Sequence, residues 1–465
     1  MTRTVLCSIF AMMAFCASTA TVSSDAPRVN RQVNLDKARM GYAFLRQLRL
    51  GKAVMKRSQF DELYRAWDGD DADRAKNASP ELRRKLAYSR YGFVEAPYKN
   101  YGLPMGLTYN PETKHVHINC LLCHGGSIRG MTFPGLPNQR LDLATLWEDL
   151  VVLAKIEHGQ QVPQRPLDKS EHNSRTRGGS NVWIKEAELL EGRMPDLSPR
   201  TPTSSDATPF DTTPSPFWHI RKKTRLYHAG FINFGPRPPM LAVLYDEELS
   251  AESIKKLLPN FQNVAHWLDS VRAPKYPGPI NHSLAARGKI FFEKACSGCH
   301  GTYGRSWTFP NRDIPIVMVG TDPVDLNGKG SLIKNYYSSW FNDFGVIDSL
   351  ASLERQTYLA PPLDGIWASA PYLHNGSVPT LYHILHPDQR PRVWKVTNYD
   401  SYDDCRVGLV VHQFDSVPRL PTITASDKRR YFDTSIYGQS NAGHLFSNHL
   451  TIDEKDAVLE YLKTL

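Results

Sequence analysis

The sequence predicts a mainly α-helical protein built from two similar units with long irregular loops. The two units are indicated by a repeated pentapeptide, Cys-x-x-Cys-His, at residues 120–124 and again at residues 296–300. Apolar residues at helical spacing recur in several other segments, and strand content is expected to be low throughout. The length of 465 residues leaves room for two or three domains.

The repeated pentapeptide is the attachment signature of haem c. Its two thiols form thioethers to the porphyrin vinyl groups, and its histidine is the proximal ligand of the iron. A zinc site would need four ligands and a redox Cys-x-x-Cys pair would not need the histidine, so these alternatives are less favoured. We therefore expect two cytochrome c-type haem domains, each with a covalently bound haem c. The residues that hold the haems are then Cys120, Cys123 and His124 in the first motif and Cys296, Cys299 and His300 in the second.

Helical signals mark several segments of the N-terminal half. Residues 36–50 have helical apolar spacing, with Asp36 as the expected N-cap. Ser79 and Pro80 fit the N-cap and first helical positions of another helix. A third helix begins after Asp142, and its apolar face consists of Leu143, Leu146, Trp147 and Leu150.

The domain boundary is expected at the Pro- and Gly-rich residues 273–279. We predict an N-terminal haem c domain with a helical extension at residues 21–275 and a C-terminal cytochrome c domain at residues 276–465. The stretch 195–216, rich in Pro, Ser, Thr and Asp, is expected to be an irregular loop of the first domain.

Helices also frame the second motif. A helix before the boundary has an apolar face formed by Val264, Trp267, Leu268 and Val271. Residues 283–296 are predicted as an amphipathic helix that runs into the motif. Thr451 and Glu454 form the capping box of a last helix, which can pack across the helix at residues 283–296. Two such helices are the frame of a small cytochrome c domain.

Residues 1–20 have the pattern of a cleaved signal peptide. Arg3 is a short basic region, residues 5–15 are apolar, and small residues end the segment. An uncleaved anchor is less favoured because the apolar run is short for a bilayer, and lipidation of Cys16 is less favoured because Phe15 precedes it. We expect a periplasmic or secreted protein without a membrane span after cleavage. The net charge of +9 is modest and its Lys and Arg are scattered, so nucleic acid is not an expected partner.

The ligand opposite each proximal histidine decides the function, because a strong second ligand gives an electron carrier and an open face can bind O₂ or H₂O₂. For the second haem, two histidines have suggestive contexts: His444, because Gly443 allows the loop to approach a ring closely, and His374, which lies in a loop bounded by Pro and Gly. Met318 is the cytochrome-like alternative. The other candidates are His383, His386, His412 and His449.

Residues 361–377, with the sequence PPLDGIWASAPYLHNGS, resemble the C-terminal loop of the bacterial di-haem cytochrome c peroxidase superfamily. This group of di-haem c oxidoreductases includes the rubber oxygenases, and the chain is most similar to that branch. The resemblance implies that the second haem transfers electrons and that its distal iron ligand comes from the tail, at His444. It also implies that Tyr372 and His374 lie behind the ligands, where they order the loop and tune the iron.

The same resemblance implies that the first haem is catalytic and has an aromatic pocket on its distal face. Phe217, Trp218 and Phe234 are similar to that pocket, although an ordinary aromatic core patch would have the same composition. His219 and His228 lie close enough in sequence to be rival sixth ligands.

These inferences predict a di-haem oxidoreductase of the peroxidase or oxygenase type, in which O₂ or H₂O₂ reacts at the first haem and electrons pass through the second. An apolar pocket favours O₂, whereas peroxide cleavage needs an acid–base group that the sequence does not identify. A small redox protein is the expected electron donor. The alternative is a non-enzymatic periplasmic electron-transfer cytochrome with both haems six-coordinate. Bound calcium and the relay between the haems are left open, with Trp147, Trp267 and Trp307 available as relays.

Overall fold

The computed structural model describes residues 31–160, 176–179, 211–245, 249–327, 356–418 and 423–465. The predicted signal peptide and most of the loop 195–216 lie outside these residues. The described α-helices are α1 (Leu35–Gln47), α2 (Arg57–Glu62), α3 (Gly69–Lys76), α4 (Pro80–Tyr91), α5 (Leu143–Glu157), α6 (Arg237–Met240), α7 (Ala251–Lys256), α8 (Leu258–Ser270), α9 (His282–Ala295), α10 (Ser297–His300), α11 (Ile316–Val319), α12 (Leu381–Leu385), α13 (Ala425–Lys428) and α14 (Ile452–Leu462).

Short strands run between the helices in both halves of the chain. They are β1 (Leu50–Lys56), β2 (Leu107–Asn110), β3 (His115–Ile118), β4 (Gly125–Ile128), β5 (Met131–Pro134), β6 (Arg225–Leu226), β7 (Ile232–Asn233), β8 (Asp313–Pro315), β9 (Thr357–Leu359), β10 (Val393–Val396), β11 (Val411–Phe414) and β12 (Tyr431–Asp433). They form two three-stranded antiparallel sheets, in the orders β1-β3-β2 and β11-β10-β12, and the pairs β4-β5, β6-β7 and β8-β9.

The prediction of a mainly α fold is wrong. Helix makes up 40% and strand 15% of the structure, so the fold is mixed α/β with several small sheets, and two separate haem domains are not evident from it. The first Cys-x-x-Cys-His motif lies among strands, because β3 precedes it and the β4-β5 hairpin follows it. Most of these strands have only two to four residues, which is too short for a clear alternation of apolar and polar side chains. Their pairing is made by main-chain hydrogen bonds, which do not require particular side chains.

The helices predicted from capping residues are confirmed. Ser79 caps α4 with Pro80 in its first turn, and Asp142 caps α5. Thr451 and Glu454 form the predicted capping box of α14. The N-cap predicted for α1 is wrong by two residues, because Asn34 accepts the capping bond and Asp36 lies in the first turn.

Two pairs of helices cross at glycines. α1 packs along α8, and α9 packs along α14 as expected for the helix that enters the second motif. A Cβ at Gly41 would overlap the backbone of Asn263, and a Cβ at Gly288 would overlap the carbonyl oxygen of Ala457. Only glycine permits backbones to come this close, so each crossing is fixed by one residue.

The buried apolar residues form two clusters that do not divide cleanly along the sequence. The first cluster is built mainly from residues 38–268 but includes Leu326 and Tyr358. The second is built mainly from residues 276–462 but includes Leu136 and Trp218. Each part of the chain therefore contributes to both cores, and the boundary at residue 275 stays a prediction.

Buried charges also connect the two parts of the chain. Arg429 pairs with Asp142 at 3.1 Å and with Glu148 at 2.8 Å. Burial raises the pKa of Asp142, but the charges of Arg429 and Arg177 more than offset it, so the pKa is lowered. The carboxylate at the start of α5 is therefore ionised at neutral pH, and it ties α5 to the C-terminal part of the chain.

Candidate functional site

The first motif lies in a tight turn at the end of β3. Cys120–Leu122 is a 3-10 helix capped by Asn119, which is buried and donates a hydrogen bond to the hydroxyl of Thr108 at 2.8 Å. The amide of His124 donates to the carbonyl of Cys120 at 3.0 Å. Asn119 therefore fixes the turn that carries the two thiols and the imidazole.

The second motif begins where α9 ends. Cys296 is the C-cap residue of α9, and its amide donates to the carbonyl of Phe292 at 2.8 Å. The amide of His300, at the end of α10, donates to the carbonyl of Cys296 at 3.0 Å. The corresponding hydrogen bond of the first motif, from His124 to Cys120, has the same length. Both motifs therefore form the same turn, although a strand precedes the first and a helix precedes the second.

The four thiols of the motifs form no disulfide. Burial raises the pKa of Cys120 and of Cys296 to about 12, and it also raises the pKa of Cys299. Reduced thiols at this spacing beside a histidine are the donor set that thioether attachment of haem c requires. The residues present in both turns therefore fit this cofactor.

His300 and His444 face each other across a gap that one metal atom would fill. Their ring centroids are 6.2 Å apart. Metal–imidazole bonds are about 2.0–2.1 Å long, so two axial rings on one metal atom have centroids roughly 6 Å apart. The Nδ1 atom of His300 donates to the carbonyl of Pro361 at 2.8 Å, which leaves Nε2 as its ligating atom.

The loop that carries His444 is fastened on several sides. The amide of His444 donates to the carbonyl of Val319 at 2.6 Å. The buried amide of Asn375 donates to the carbonyls of Ser440 at 2.9 Å and of Gly438 at 3.3 Å. The loop at residues 361–377 therefore holds the loop of His444 in place through Asn375, a residue that no sequence motif indicated.

His124 is held differently from His300. Its Nδ1 atom is buried and has no hydrogen-bond partner within the described ranges of the chain. Its ring stacks on Phe217, with centroids 4.3 Å apart and planes inclined by 22°. The backbone continues this contact, because Gly135 accepts from the amide of Phe217 at 2.8 Å and donates to the carbonyl of His124 at 2.7 Å.

The three aromatic residues predicted for a distal pocket lie in different surroundings. Phe217 lies beside the imidazole of His124, as described above. Trp218 is buried and donates from Nε1 to the carbonyl of Asp364 at 2.8 Å. Phe234 lies under the guanidinium of Arg31, 4.1 Å from the ring centroid. The distal role of these residues stays a prediction.

Tyr372 and His374 both fix the loop that bears them. The hydroxyl of Tyr372 is buried and donates to the carbonyl of Ile366 at 3.1 Å. The ring of His374 stacks on Tyr358 at 4.5 Å, and its carbonyl accepts from the amide of Thr213 at 2.7 Å. The role expected of both residues behind the ligands of the second iron stays a prediction.

The alternative ligands have other partners or positions. His219 and His228 each engage a backbone carbonyl through Nε2, that of Asp364 at 3.0 Å and that of Thr213 at 2.7 Å. Met318 lies on the short helix α11 with more than half of its surface exposed.

One short segment connects the surroundings of His124 and His300. Pro361 accepts the hydrogen bond of His300, and three residues later the carbonyl of Asp364 accepts that of Trp218. Trp218 follows Phe217, which stacks on His124. Direct contacts therefore lead from His300 through residues 361–364 to Trp218, and through the neighbouring Phe217 to His124.

The histidines of both turns are neutral at physiological pH. Burial lowers the pKa of His124 to about 4 and also lowers the pKa of His300. Burial, helped by the charges of His300 and Arg390, lowers the pKa of His444 to about 3. Neutral imidazole is the form that binds a metal, so the electrostatic surroundings favour ligation.

Among the described residues, no group of three or more His, Cys, Asp or Glu side chains could hold a metal ion by itself. None of the described helices has both the length and the apolar character that crossing a bilayer requires.

Comparison with known proteins is consistent with the two motifs. Residues 357–395 match a family described as "RoxA-like, cytochrome c-like". This match supports a cytochrome c-like region at those residues. A cytochrome c-like region implies a covalently bound haem c, and because such regions are generally exported, export is expected here as well. The matched residues include Pro361 and Asp364, which lie between the two motifs, and Asn375, which holds the loop of His444.

Two proteins of Sinorhizobium fredii are also similar to the chain. "Uncharacterized protein y4iM" is 30% identical over 243 residues, which cover 43% of this chain and 53% of that protein. "Uncharacterized protein y4iJ" is 30% identical over 260 residues, which cover 42% of this chain and 41% of that protein. The chain thus spans about half the length of these relatives.

Proposed function

We propose that the protein is an exported di-haem c oxidoreductase with two unequal sites, one closed for electron transfer and one open to O₂ or H₂O₂. The observation that carries this proposal is the contrast between the motifs, since His300 faces a second imidazole at 6.2 Å and the ring contact of His124 is with Phe217. Haem c bound at these motifs would supply one-electron redox chemistry and, where a coordination position is open, binding of O₂ or H₂O₂.

In the closed site, His300 and His444 would be the two axial ligands. The hydrogen bond to Pro361 orients His300, and the bonds from Asn375 and to Val319 hold the loop of His444. Ligands that are fixed in this way need little rearrangement when the redox state changes. This rigidity supports an electron-transfer role.

In the open site, His124 would be the proximal ligand. The rival sixth ligands, His219 and His228, already engage backbone carbonyls through Nε2. Across the described part of the chain, no second imidazole pairs with His124 at the spacing of His300 and His444. This supports a site whose far side is available to a small oxidant, with Trp218 and Phe234 proposed as its aromatic surroundings and Phe217 packed against the imidazole of His124.

Electrons would enter from a small redox protein at the second site and pass to the first. The segment 361–364 supports such a route, because its carbonyls accept hydrogen bonds from His300 at one end and Trp218 at the other.

The test uses the full chain matured with haem c. We expect two haems per chain by the pyridine haemochrome assay, one low-spin and one high-spin signal in the ferric EPR spectrum, and binding of CO to one ferrous haem only. In His444→Ala the low-spin signal should be lost, and in His449→Ala, an exposed histidine of the same tail, it should be retained. Addition of O₂ to the reduced protein and of H₂O₂ to the oxidised protein then identifies the oxidant.

Two results would contradict the proposal. One haem per chain would rule out the di-haem assignment. Two low-spin haems that respond to neither CO nor H₂O₂ would instead identify a non-enzymatic electron-transfer cytochrome. Export is tested separately, by measuring which cell fraction contains the mature protein.

A further inference from the structure

Arg390 is a half-buried cation without a carboxylate partner in the described part of the chain. Its Nε atom donates to the carbonyl of His383 at 3.0 Å. Its Nη1 atom donates to the carbonyls of Asn441 at 2.5 Å and of Gly443 at 2.8 Å. Its Nη2 atom is buried and has no hydrogen-bond partner within those residues.

This arrangement leaves a charge to be balanced. Backbone carbonyls satisfy individual N–H groups, but they do not neutralise a guanidinium, and an uncompensated charge away from water is unfavourable. Other internal arginines of this chain do have carboxylates, as Arg90 has Asp149 at 2.7 Å and Arg429 has Glu148 at 2.8 Å. Arg390 therefore needs an anion that the described residues do not supply.

The position of Arg390 indicates which anion this is. Gly443, whose carbonyl it binds, is the residue before His444, so the guanidinium lies beside the second candidate haem site. A haem c carries two propionate groups at its edge, and these are its only anionic groups. A guanidinium with a donor still available matches the geometry of a carboxylate, which accepts paired hydrogen bonds from arginine.

We propose that Arg390 binds a propionate of the haem held between His300 and His444. The inference rests on the proposed function, because it requires a haem at that site. Nη1 holds the loop of His444 and Nη2 holds the propionate, so one side chain joins the edge of the haem to the loop that supplies the distal ligand. Seating of the cofactor and positioning of that ligand are thereby coupled.

The experiment compares Arg390→Gln and Arg390→Lys with Arg392→Gln in the full, haem-loaded chain. Arg392 is an exposed arginine two residues away, which makes it a matched control. The readouts are the propionate bending band of the low-spin haem in the resonance Raman spectrum and the midpoint potential of that haem. The haem content of each variant is measured by the pyridine haemochrome assay.

We expect Arg390→Gln to shift the propionate band and to lower the midpoint potential, because loss of a nearby positive charge favours the ferric state. Haem content should not change, since the thioethers hold the cofactor. Arg390→Lys should keep the potential closer to that of the unmodified protein but still shift the band, because Lys keeps the charge without the fork of donors. Arg392→Gln should change neither readout.

The inference is overturned if Arg390→Gln keeps the band of the unmodified protein while the haem stays low-spin. Arg390 would then only brace the loop. If Arg390→Gln does not fold, the test uses Arg390→Lys instead. An unshifted propionate band in that variant would also overturn the inference. Absence of a low-spin haem in the unmodified protein would overturn the proposed function itself, so the two failures are distinguishable.

Discussion

His124 and His300 end the same kind of turn, yet different forces orient their rings. His300 donates from Nδ1 to Pro361 at 2.8 Å, and a hydrogen bond of this kind fixes the ring and increases the basicity of its ligating nitrogen. His124 is oriented by packing, because its ring stacks on Phe217 at 4.3 Å. Since the imidazole of His124 lacks this polarising bond within the described residues, it is expected to be the weaker electron donor to iron.

Phe217→Leu tests the packing of His124. Loss of a stacked ring is expected to lower the free energy of unfolding by about 1 kcal/mol, measured by urea denaturation. The freed imidazole should also broaden and shift the iron–histidine stretching band of the high-spin haem in the resonance Raman spectrum.

Phe234→Leu is the control, because Phe234 packs against Arg31 and makes no ring contact with His124 in the described structure. It should leave the iron–histidine band in place. If Phe217→Leu changes the affinity for CO without any effect on that band, Phe217 belongs to the distal pocket and not to the proximal side.

At the scale of elements, the sequence was most informative where a local interaction defines a helix end. Asp142 and the capping box at Thr451 could be identified because side chains bind amides only three residues away. The strand β3 could not, because its pairing with β1 depends on residues up to 68 positions distant. The mixed α/β character was missed because such distant pairings, and strands of only a few residues, have no clear signature in the sequence.

In the candidate site, too, local sequence signals could be recognised and distant contacts could not. The motifs could be recognised from their spacing alone, and His444, which the family resemblance favoured as a distal ligand, lies 6.2 Å from His300 between ring centroids. Asn375 and Arg390 were not found because their partners are backbone carbonyls, which have no signature in a sequence. Phe217 was selected for its ring, but no sequence pattern could show that this ring stacks on His124.

Gly288→Ala tests the helix crossing that supports the second motif. A methyl group at this position would overlap the carbonyl of Ala457, so α9 and α14 must move apart. We expect a loss of about 1–3 kcal/mol in the free energy of unfolding, as for overpacked cores. Gly235→Ala is the matched control, because a Cβ there has no atom within 4 Å, and it should change stability by less than about 0.5 kcal/mol. Equal stability of both variants would show that the crossing tolerates a side chain.

At the scale of the whole molecule, two neighbouring residues join the two cores. Phe217 packs against the first apolar cluster and Trp218 belongs to the second. The peptide between them therefore lies at the junction of the cores and between the two motifs. Lys222 reinforces the junction through an ion pair of 2.9 Å with the carboxylate of Asp364, whose carbonyl binds Trp218.

Trp218→Phe tests whether this junction carries electrons between the sites. The substitution keeps a buried ring but removes the Nε1 donor that contacts Asp364, and Asp364 is three residues from the carbonyl that holds His300. We expect electron transfer from the first haem to the oxidised second haem, after photolysis of CO from the partly reduced protein, to slow several-fold, with little change in either haem spectrum. Trp394→Phe is the control, because Trp394 is also buried and donates to a backbone carbonyl, that of Ser377, without contacting this segment. An unchanged rate in Trp218→Phe would exclude the junction as the route, because the hydrogen bond to Asp364 is the step that closes the path between the two histidines.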